Sequence, residues 1–409
     1  MEGKMSDTNP DNESAKMPEA QQETQKFAFF AMTCLFFFWG FITSLNDILI
    51  PHLKEVFDLS YTQVSLVQSC FFGAYFIISP IAGRIISKVG FQKGIVIGLL
   101  TAASGAALFY PSEELHIYVI YLFSFFILAS GITILQVAAN PYVSALGPDS
   151  TSASRLNLAQ AANSAGTALS PYIGAVLILG AAATDKTTVQ GPYLTIAVIL
   201  FVAALVFQKI TLPVLSNVES RAEGRSENLW KRRSLVLGAL AIFFYVGGEV
   251  AIGTFLVNYF AENAIAGLDE EAAGKMVAVY WFLAMVGRFV GAAAMLYIKA
   301  TKYLAINALI AIVMIGVSMN STGDVAMWSI LSVGFFNSIM FPTIFTLAVK
   351  GLGSMTSRGS GLVCQGIVGG ALIPLIQGVA ADNMGIQMSF IIPMLCYVYI
   401  AWYAMKGTN

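Results

Sequence analysis

Charge is scarce in this sequence. Asp, Glu, Lys and Arg make up 11% of its 409 residues, against roughly 25% in soluble domains. At the same time, 57% of the residues are hydrophobic. This balance excludes an ordinary soluble domain and predicts a membrane protein. The formal net charge of -1 also argues against a nucleic-acid partner, because such proteins present a basic surface.

Side chains with catalytic or metal-binding chemistry are also few. The sequence has two histidines, His52 and His116, and each lies next to a predicted loop. The four cysteines lie inside apolar runs and match no metal-ligand or paired-disulfide spacing; they are Cys34, Cys70, Cys364 and Cys396. A membrane-embedded enzyme needs a cluster of His, Asp or Glu at one aqueous opening. The sequence shows no such cluster, so we expect neither an enzyme nor a cofactor.

Long apolar runs dominate the rest of the chain. A run of about 20 residues crosses the hydrocarbon core as a helix, and twelve such runs lie between residues 27 and 405. The pattern predicts an all-α membrane protein with twelve transmembrane helices. Residues 1–26 are rich in Glu, Asp, Lys and Gln and are predicted to be disordered, since they cannot bury an apolar face.

Basic residues test the helix count independently. If both termini are cytoplasmic, all but three of the 22 lysines and arginines fall on the cytoplasmic side; the exceptions are Lys54, Lys186 and Lys275. Short cytoplasmic loops carry such an excess of Lys and Arg, and a wrong helix count would destroy the asymmetry. The distribution therefore predicts twelve helices with both termini in the cytoplasm.

The chain divides into two similar halves. A polar stretch, residues 214–233, separates predicted six-helix bundles at 27–213 and 234–409. The pair Ser154-Arg155 is followed by Pro171, and the pair Ser357-Arg358 is followed by Pro374 after the same number of residues. This matched spacing indicates an internal repeat. Two pseudo-symmetric halves joined by a linker are typical of secondary transporters, whose site lies between the halves near the middle of the membrane.

Four stretches carry a resemblance to a known family: "GRIISKVGFQK" (83–93), "NDILIPHLK" (46–54), "LQVAANPY" (135–142) and "RLNLAQAANSAG" (155–166). The sequence resembles the major facilitator superfamily and, within it, the glucose/galactose transporter branch of the fucose permease family. The resemblance implies a major facilitator fold that imports a hexose by cation symport in a bacterial inner membrane. The implied partners are a sugar and membrane lipid, and a monomer is expected to be functional.

Asp47 and its neighbour Asn46 interrupt an apolar run. A carboxylate in the bilayer interior costs about 2.5 to 3.5 kcal/mol on insertion scales, so such residues usually face a cavity and carry function. The resemblance implies that Asp47 couples transport to a cation, either as a Na+ ligand or by binding a proton. The alternative is a carboxylate hydrated at the outer interface.

Gln136 departs from the fucose/proton branch of the family, where the resemblance implies a glutamate. A glutamine cannot carry a proton, so this residue favours Na+ over H+ coupling and leaves H+ as the alternative. Gln136 and Asn140 are four residues apart and therefore lie on one helical face. Their amide groups are candidates for binding the sugar or the ion.

Glu249 is the second acid inside an apolar run and the second candidate for cation coupling. The alternative is a buried carboxylate that pairs with Arg288 or bonds to a neighbour on its own helix. We expect Arg288, together with Arg84 and Lys88, to hold the cytoplasmic helix ends rather than to contact substrate.

A hexose site needs amides, hydroxyls and an aromatic platform. The remaining candidates are Asn157, Gln160, Asn163, Asn337, Gln365, Trp39, Tyr280 and Trp281, and the resemblance implies sugar contacts for Gln160 and Asn163. Amides can instead bond helices together, and aromatics can simply pack or lie at the interface.

Alternative functions are a proton-coupled symporter of fucose, mannose or an N-acetylated hexose, or an exporter or exchanger on the same fold.

Overall fold

The computed structural model describes residues 19–57, 61–115, 117–174, 190–215 and 228–408. Every regular element in these ranges is a helix, which confirms the all-α prediction. In the first half the helices are α1 (Glu19–Phe57), α2 (Tyr61–Val89), α3 (Phe91–Ala107), α4 (Phe109–Leu115), α5 (Tyr118–Ala145), α6 (Ser152–Gly174) and α7 (Gln190–Lys209).

The second half repeats this arrangement with more interruptions. Its helices are α8 (Arg233–Ala261), α9 (Glu270–Ala294), α10 (Ala300–Met319), α11 (Gly323–Asn337), α12 (Met340–Val349), α13 (Thr356–Gln365), α14 (Gly369–Met384), α15 (Ile386–Ser389) and α16 (Ile391–Trp402). A 3-10 turn at Gly366–Val368 joins α13 to α14. The sequence does not predict these interruptions, since each of the twelve apolar runs is expected to form a single helix.

The number of membrane-crossing segments agrees with the predicted twelve. Ten segments among the described residues are long and apolar enough to cross a membrane. Helix α7 adds a slightly shorter apolar stretch, Tyr193–Lys209. Helix α6 is the twelfth, and it is less apolar because it carries the amides of Asn157, Gln160 and Asn163.

Helix α1 begins earlier than the sequence predicted. It starts at Glu19, so residues 19–26 are helical rather than disordered. Glu, Gln, Ala and Lys are all good helix formers, and polar residues can extend a membrane helix into water. Residues 1–18 and most of the predicted linker, 216–227, lie outside the described residues.

The two halves use the same packing device. A Cβ at Gly166 would lie 2.1 Å from the Phe37 carbonyl oxygen, so α6 packs directly on the backbone of α1. A Cβ at Gly369 would lie 2.0 Å from the Phe243 oxygen, so α14 packs in the same way on α8. Small residues permit this close approach, and the two glycines occupy equivalent places in the repeat.

The halves meet along α2 and α13. A Cβ at Gly83 would lie 2.8 Å from the Ser357 oxygen, and one at Gly361 would lie 2.5 Å from the Ser79 oxygen. These contacts lie toward the end of the bundle where α7 ends and α8 begins, which we call the linker end. The halves are therefore closely packed toward the linker end.

Candidate functional site

Amide side chains of α5 and α6 lie at the centre of the first half. Gln136 Nε2 donates to the Tyr75 hydroxyl at 2.7 Å, and Gln160 Nε2 donates to Asn140 Oδ1 at 3.4 Å. On these two helices, three buried amide atoms have no protein partner: Gln136 Oε1, Asn140 Nδ2 and Asn157 Oδ1. Since buried polar atoms are nearly always hydrogen-bonded, this cluster calls for water or a polar ligand.

The other amides on α6 also bond across helices. Asn157 Nδ2 donates to the Ala153 oxygen at 2.9 Å and to Thr343 Oγ1, in the second half, at 3.3 Å. Asn163 Nδ2 donates to the Phe36 oxygen of α1 at 2.9 Å. The side-chain nitrogens of Asn157 and Asn163 thus each bond to another helix, as the helix-bonding alternative for these amides expects.

A charged pair lies in the second half. Glu249 Oε1 on α8 is 3.8 Å from Arg288 Nη2 on α9, and their side chains are 12% and 14% exposed. The Tyr245 hydroxyl donates to the same carboxylate oxygen at 2.7 Å. A poorly solvated carboxylate needs such compensation, so the pairing that the sequence left open is present.

Arg288 also reaches the first half. Its Nη1 donates to Ser164 Oγ and, at 3.4 Å, to the Gln160 oxygen, while Nε donates to the Ser338 oxygen at 3.2 Å. The expectation that Arg288 holds a helix end was wrong, because it lies within α9 at the interface between the halves. The criterion applied to Asp47, a charge inside an apolar run, would have identified it.

Asn337 and Tyr280 belong to a fully buried network. Asn337 Nδ2 donates to the hydroxyls of Tyr280 at 2.7 Å and Tyr397 at 2.9 Å, and Asn337 Oδ1 has no partner. In the described structure, all three side chains are shielded from solvent. Gln365 Nε2 donates to the Phe76 oxygen of α2 at 3.1 Å, across the two halves.

The two tryptophans differ in their surroundings. Trp281 is 40% exposed. It lies two helical turns from Arg288 and therefore on the same face of α9, the face from which Arg288 contacts the first half. Trp39 is 5% exposed and packs against Phe36, with ring centroids 5.0 Å apart. It lines an apolar cavity bounded by α3, α5 and α7, which does not support a sugar-stacking role.

Asn46 and Asp47 fall within α1, but their side chains lie outside the described part of the structure. Among the residues that are described, no three His, Cys, Asp or Glu side chains group together as a metal site would require.

A sequence profile of the Major Facilitator Superfamily matches residues 28–366. The chain belongs to the major facilitator superfamily. It is 51% identical to the glucose/galactose transporter of Brucella abortus over 99% of this chain and 100% of that protein. Members of this fold are transporters, so the prediction that the chain is not an enzyme is confirmed, as is the predicted family.

Two crystal structures are similar over nearly the whole chain. The E. coli fucose:proton symporter FucP (N162A) has a TM-score of 0.86 and 31% identity, covering 94% of this chain and 100% of that one. FucP in the outward conformation has a TM-score of 0.85 and 32% identity with the same coverage. The major facilitator fold and the multi-pass architecture are therefore established for this chain.

Proposed function

We propose that the protein is a secondary active transporter that imports a glucose- or galactose-like hexose by cation symport. The observation that carries this proposal is the set of buried, unpartnered amide atoms on Gln136, Asn140 and Asn157, at the centre of a superfamily transporter. The similarity to a protein named glucose/galactose transporter supports the choice of sugar.

A neutral sugar suits these atoms. Two of them are oxygens that accept and one is a nitrogen that donates, and a sugar hydroxyl can do either. Trp281, exposed on the face of α9 that carries Arg288, offers an apolar ring for the sugar face. Gln160 and Asn163 complete the set, Gln160 by bonding to Asn140 and Asn163 by fixing α6 on α1.

Coupling is assigned to Asp47, with Asn46 beside it. Glu249 already has Arg288 as a cationic partner, so its charge needs no coupling ion. We favour Na+, because Gln136 cannot carry a proton where the resemblance implies a glutamate. Proton coupling is the second candidate, supported by the similarity to a fucose:proton symporter.

Alternating access then follows from charge. The contacts toward the linker end keep that end closed, so sugar and cation enter from the opposite end, which the predicted topology places outside the cell. Enclosing an unneutralised Asp47 is unfavourable, so the loaded site changes conformation more readily than the site without its cation. Uptake of sugar is thereby tied to uptake of the cation.

Uptake of labelled glucose into proteoliposomes tests this proposal. An inward Na+ gradient and an inward proton gradient are imposed separately on the wild type, on Asp47→Asn and on Glu271→Gln, an exposed acid on α9 that serves as the control. We expect the Na+ gradient to stimulate the wild type and the control at least tenfold more than Asp47→Asn, which corresponds to about 1.4 kcal/mol.

Stimulation by protons alone would establish the proton-coupled alternative. Absence of glucose uptake under both gradients would exclude glucose as the substrate, and the same vesicles would then be tested with galactose, mannose and fucose. Absence of uptake for all four sugars would refute the hexose assignment.

A further inference from the structure

A cavity lies in the first half, between α1 and α7, with α3 and α5 as its floor. Its volume is about 200 Å³. Its lining is apolar throughout and includes Ala31, Trp39 and Ile42 of α1 and Ala203 of α7. We call it the α1–α7 groove. A sugar or a cation would find no partner there, so its occupant must be apolar.

The groove extends from the surface of the bundle into its core. At its mouth, Phe38, Ile199 and Val206 are 47%, 44% and 49% exposed. At its floor, Leu99 and Leu135 are almost completely buried. The surrounding medium of a membrane-spanning bundle is lipid, so the mouth opens toward acyl chains.

The second half is packed differently at the equivalent position. The corresponding position lies between α8 and α16, where the rings of Phe244 and Tyr399 are 4.9 Å apart. The Tyr399 hydroxyl donates to the Leu237 oxygen at 3.2 Å, and a Cβ at Gly238 would lie 2.8 Å from the Tyr403 hydroxyl. Aromatic side chains occupy that position in the second half, where the first half has the α1–α7 groove.

The length of the groove matches one leaflet. From Ala31 to Ile42 it follows α1 for about 16 Å at about 1.5 Å per residue, close to half of the roughly 30 Å hydrocarbon core. Because α1 begins and α7 ends at the linker end, the groove occupies the leaflet on that side.

Positive charge lies beyond the linker end of the groove. Lys26 on α1, Lys93 on α3 and Lys209 on α7 are all exposed, and each belongs to a helix that lines the groove. Glu23, one turn before Lys26, is the nearest acid along α1. Lysines at this depth attract anionic phospholipid headgroups, and their stems can reach along apolar surface to do so.

We propose that the α1–α7 groove binds one acyl chain of an anionic phospholipid, with the phosphate at Lys26, Lys93 and Lys209 and the chain against Trp39. The site is independent of the sugar and of the coupling ion. An acyl chain there supports α1 on the side opposite α6.

Quenching of Trp39 fluorescence by brominated lipid tests the proposal. A variant that keeps Trp39 and carries Phe at the other four tryptophans is reconstituted in phosphatidylcholine vesicles that contain brominated phosphatidylglycerol or brominated phosphatidylcholine. We expect half-quenching at an about tenfold lower mole fraction of the brominated phosphatidylglycerol. A matched variant keeps Trp328, which is 51% exposed on α11, and should respond equally to both lipids.

Two further variants separate the chain from the headgroup. Ala203→Phe fills the groove and should abolish the preferential quenching of Trp39. The triple variant Lys26→Gln, Lys93→Gln and Lys209→Gln changes only exposed positions and should make the two lipids equivalent. Equal quenching of Trp39 by both lipids in the unfilled single-tryptophan protein would overturn the proposal, as would unchanged preferential quenching after Ala203→Phe.

Discussion

At the scale of single residues, the two halves contribute different chemistry to the centre. The first half presents neutral amides on α5 and α6, and the second presents the pair Glu249 and Arg288 with Tyr245. Amides can bind a sugar without removing a charge from water, whereas a buried ion pair costs desolvation energy. We therefore assign recognition mainly to the first half and structural charge balance to the second.

Replacing Glu249 with Gln should destabilise the protein. The change leaves Arg288, 14% exposed, without its carboxylate partner, and losing one member of a buried pair typically costs about 3 to 5 kcal/mol. We expect the lower end of that range here, because the pair keeps some contact with solvent and is 3.8 Å apart. Thermal unfolding in detergent measures the effect.

Glu271→Gln is the matched control for this change. It breaks an exposed pair with Lys275, at 2.7 Å on α9, and exposed pairs contribute at most about 1 kcal/mol. Equal shifts in the melting temperature for the two variants would show that the Glu249–Arg288 pair contributes no more to stability than an exposed pair does.

At the scale of elements, glycine decides how closely α2 and α13 approach. An added methyl group at Gly83 would meet the Ser357 carbonyl oxygen at 2.8 Å, which is backbone and cannot rotate away. Gly83→Ala should therefore weaken closure at the linker end. Overpacking of this kind costs about 1 to 3 kcal/mol, which shifts the ratio of closed to open molecules at least about fivefold.

Spin labels measure this shift. They are attached at Lys88→Cys on α2 and Lys302→Cys on α10, both exposed positions in opposite halves, in a protein whose native cysteines are replaced. Gly83→Ala should add a longer-distance population. The control is Gly73→Ala, on the same helix, where no atom lies within 4 Å of the added methyl; it should add no longer-distance population. A similar distance distribution in the two variants would refute the role of Gly83.

Helix number and repeat could be read from the sequence, because each helix must cover about 30 Å of hydrocarbon. The contacts that individual side chains make could not be read from the sequence. Gln365 bonds to a carbonyl of α2, and Trp39 turns toward α3 and α7 rather than toward the amides. Which face of a uniformly apolar helix meets which neighbour depends on tertiary packing, and periodicity carries no signal for it.

At the scale of the whole molecule, the contacts between the halves lie from the middle of the bundle to the linker end. Ser154 Oγ on α6 donates to the Ala292 oxygen of α9 at 2.5 Å, and Ser360 Oγ on α13 donates to the Val137 oxygen of α5 at 2.9 Å. Both of these bonds are neutral, so each can break and re-form at modest cost. Such contacts suit a closure that opens in every transport cycle.

Linking the halves covalently at this point should stop transport without stopping sugar binding. In a protein without native cysteines, Ser154→Cys and Ala292→Cys are oxidised to a disulfide, whose formation is verified by mass spectrometry. The linker end then stays closed while the opposite end remains free to admit sugar. We expect the sugar dissociation constant, measured by calorimetry, to stay within about threefold of that of the reduced protein, a difference below about 1 kcal/mol. Glucose uptake should be lost, and dithiothreitol should restore it.

Each single-cysteine variant, treated with the same oxidant, should transport normally. Uptake at the wild-type rate by the fully cross-linked protein would mean that this contact does not open during transport, and the passage would then have to be sought elsewhere between the halves.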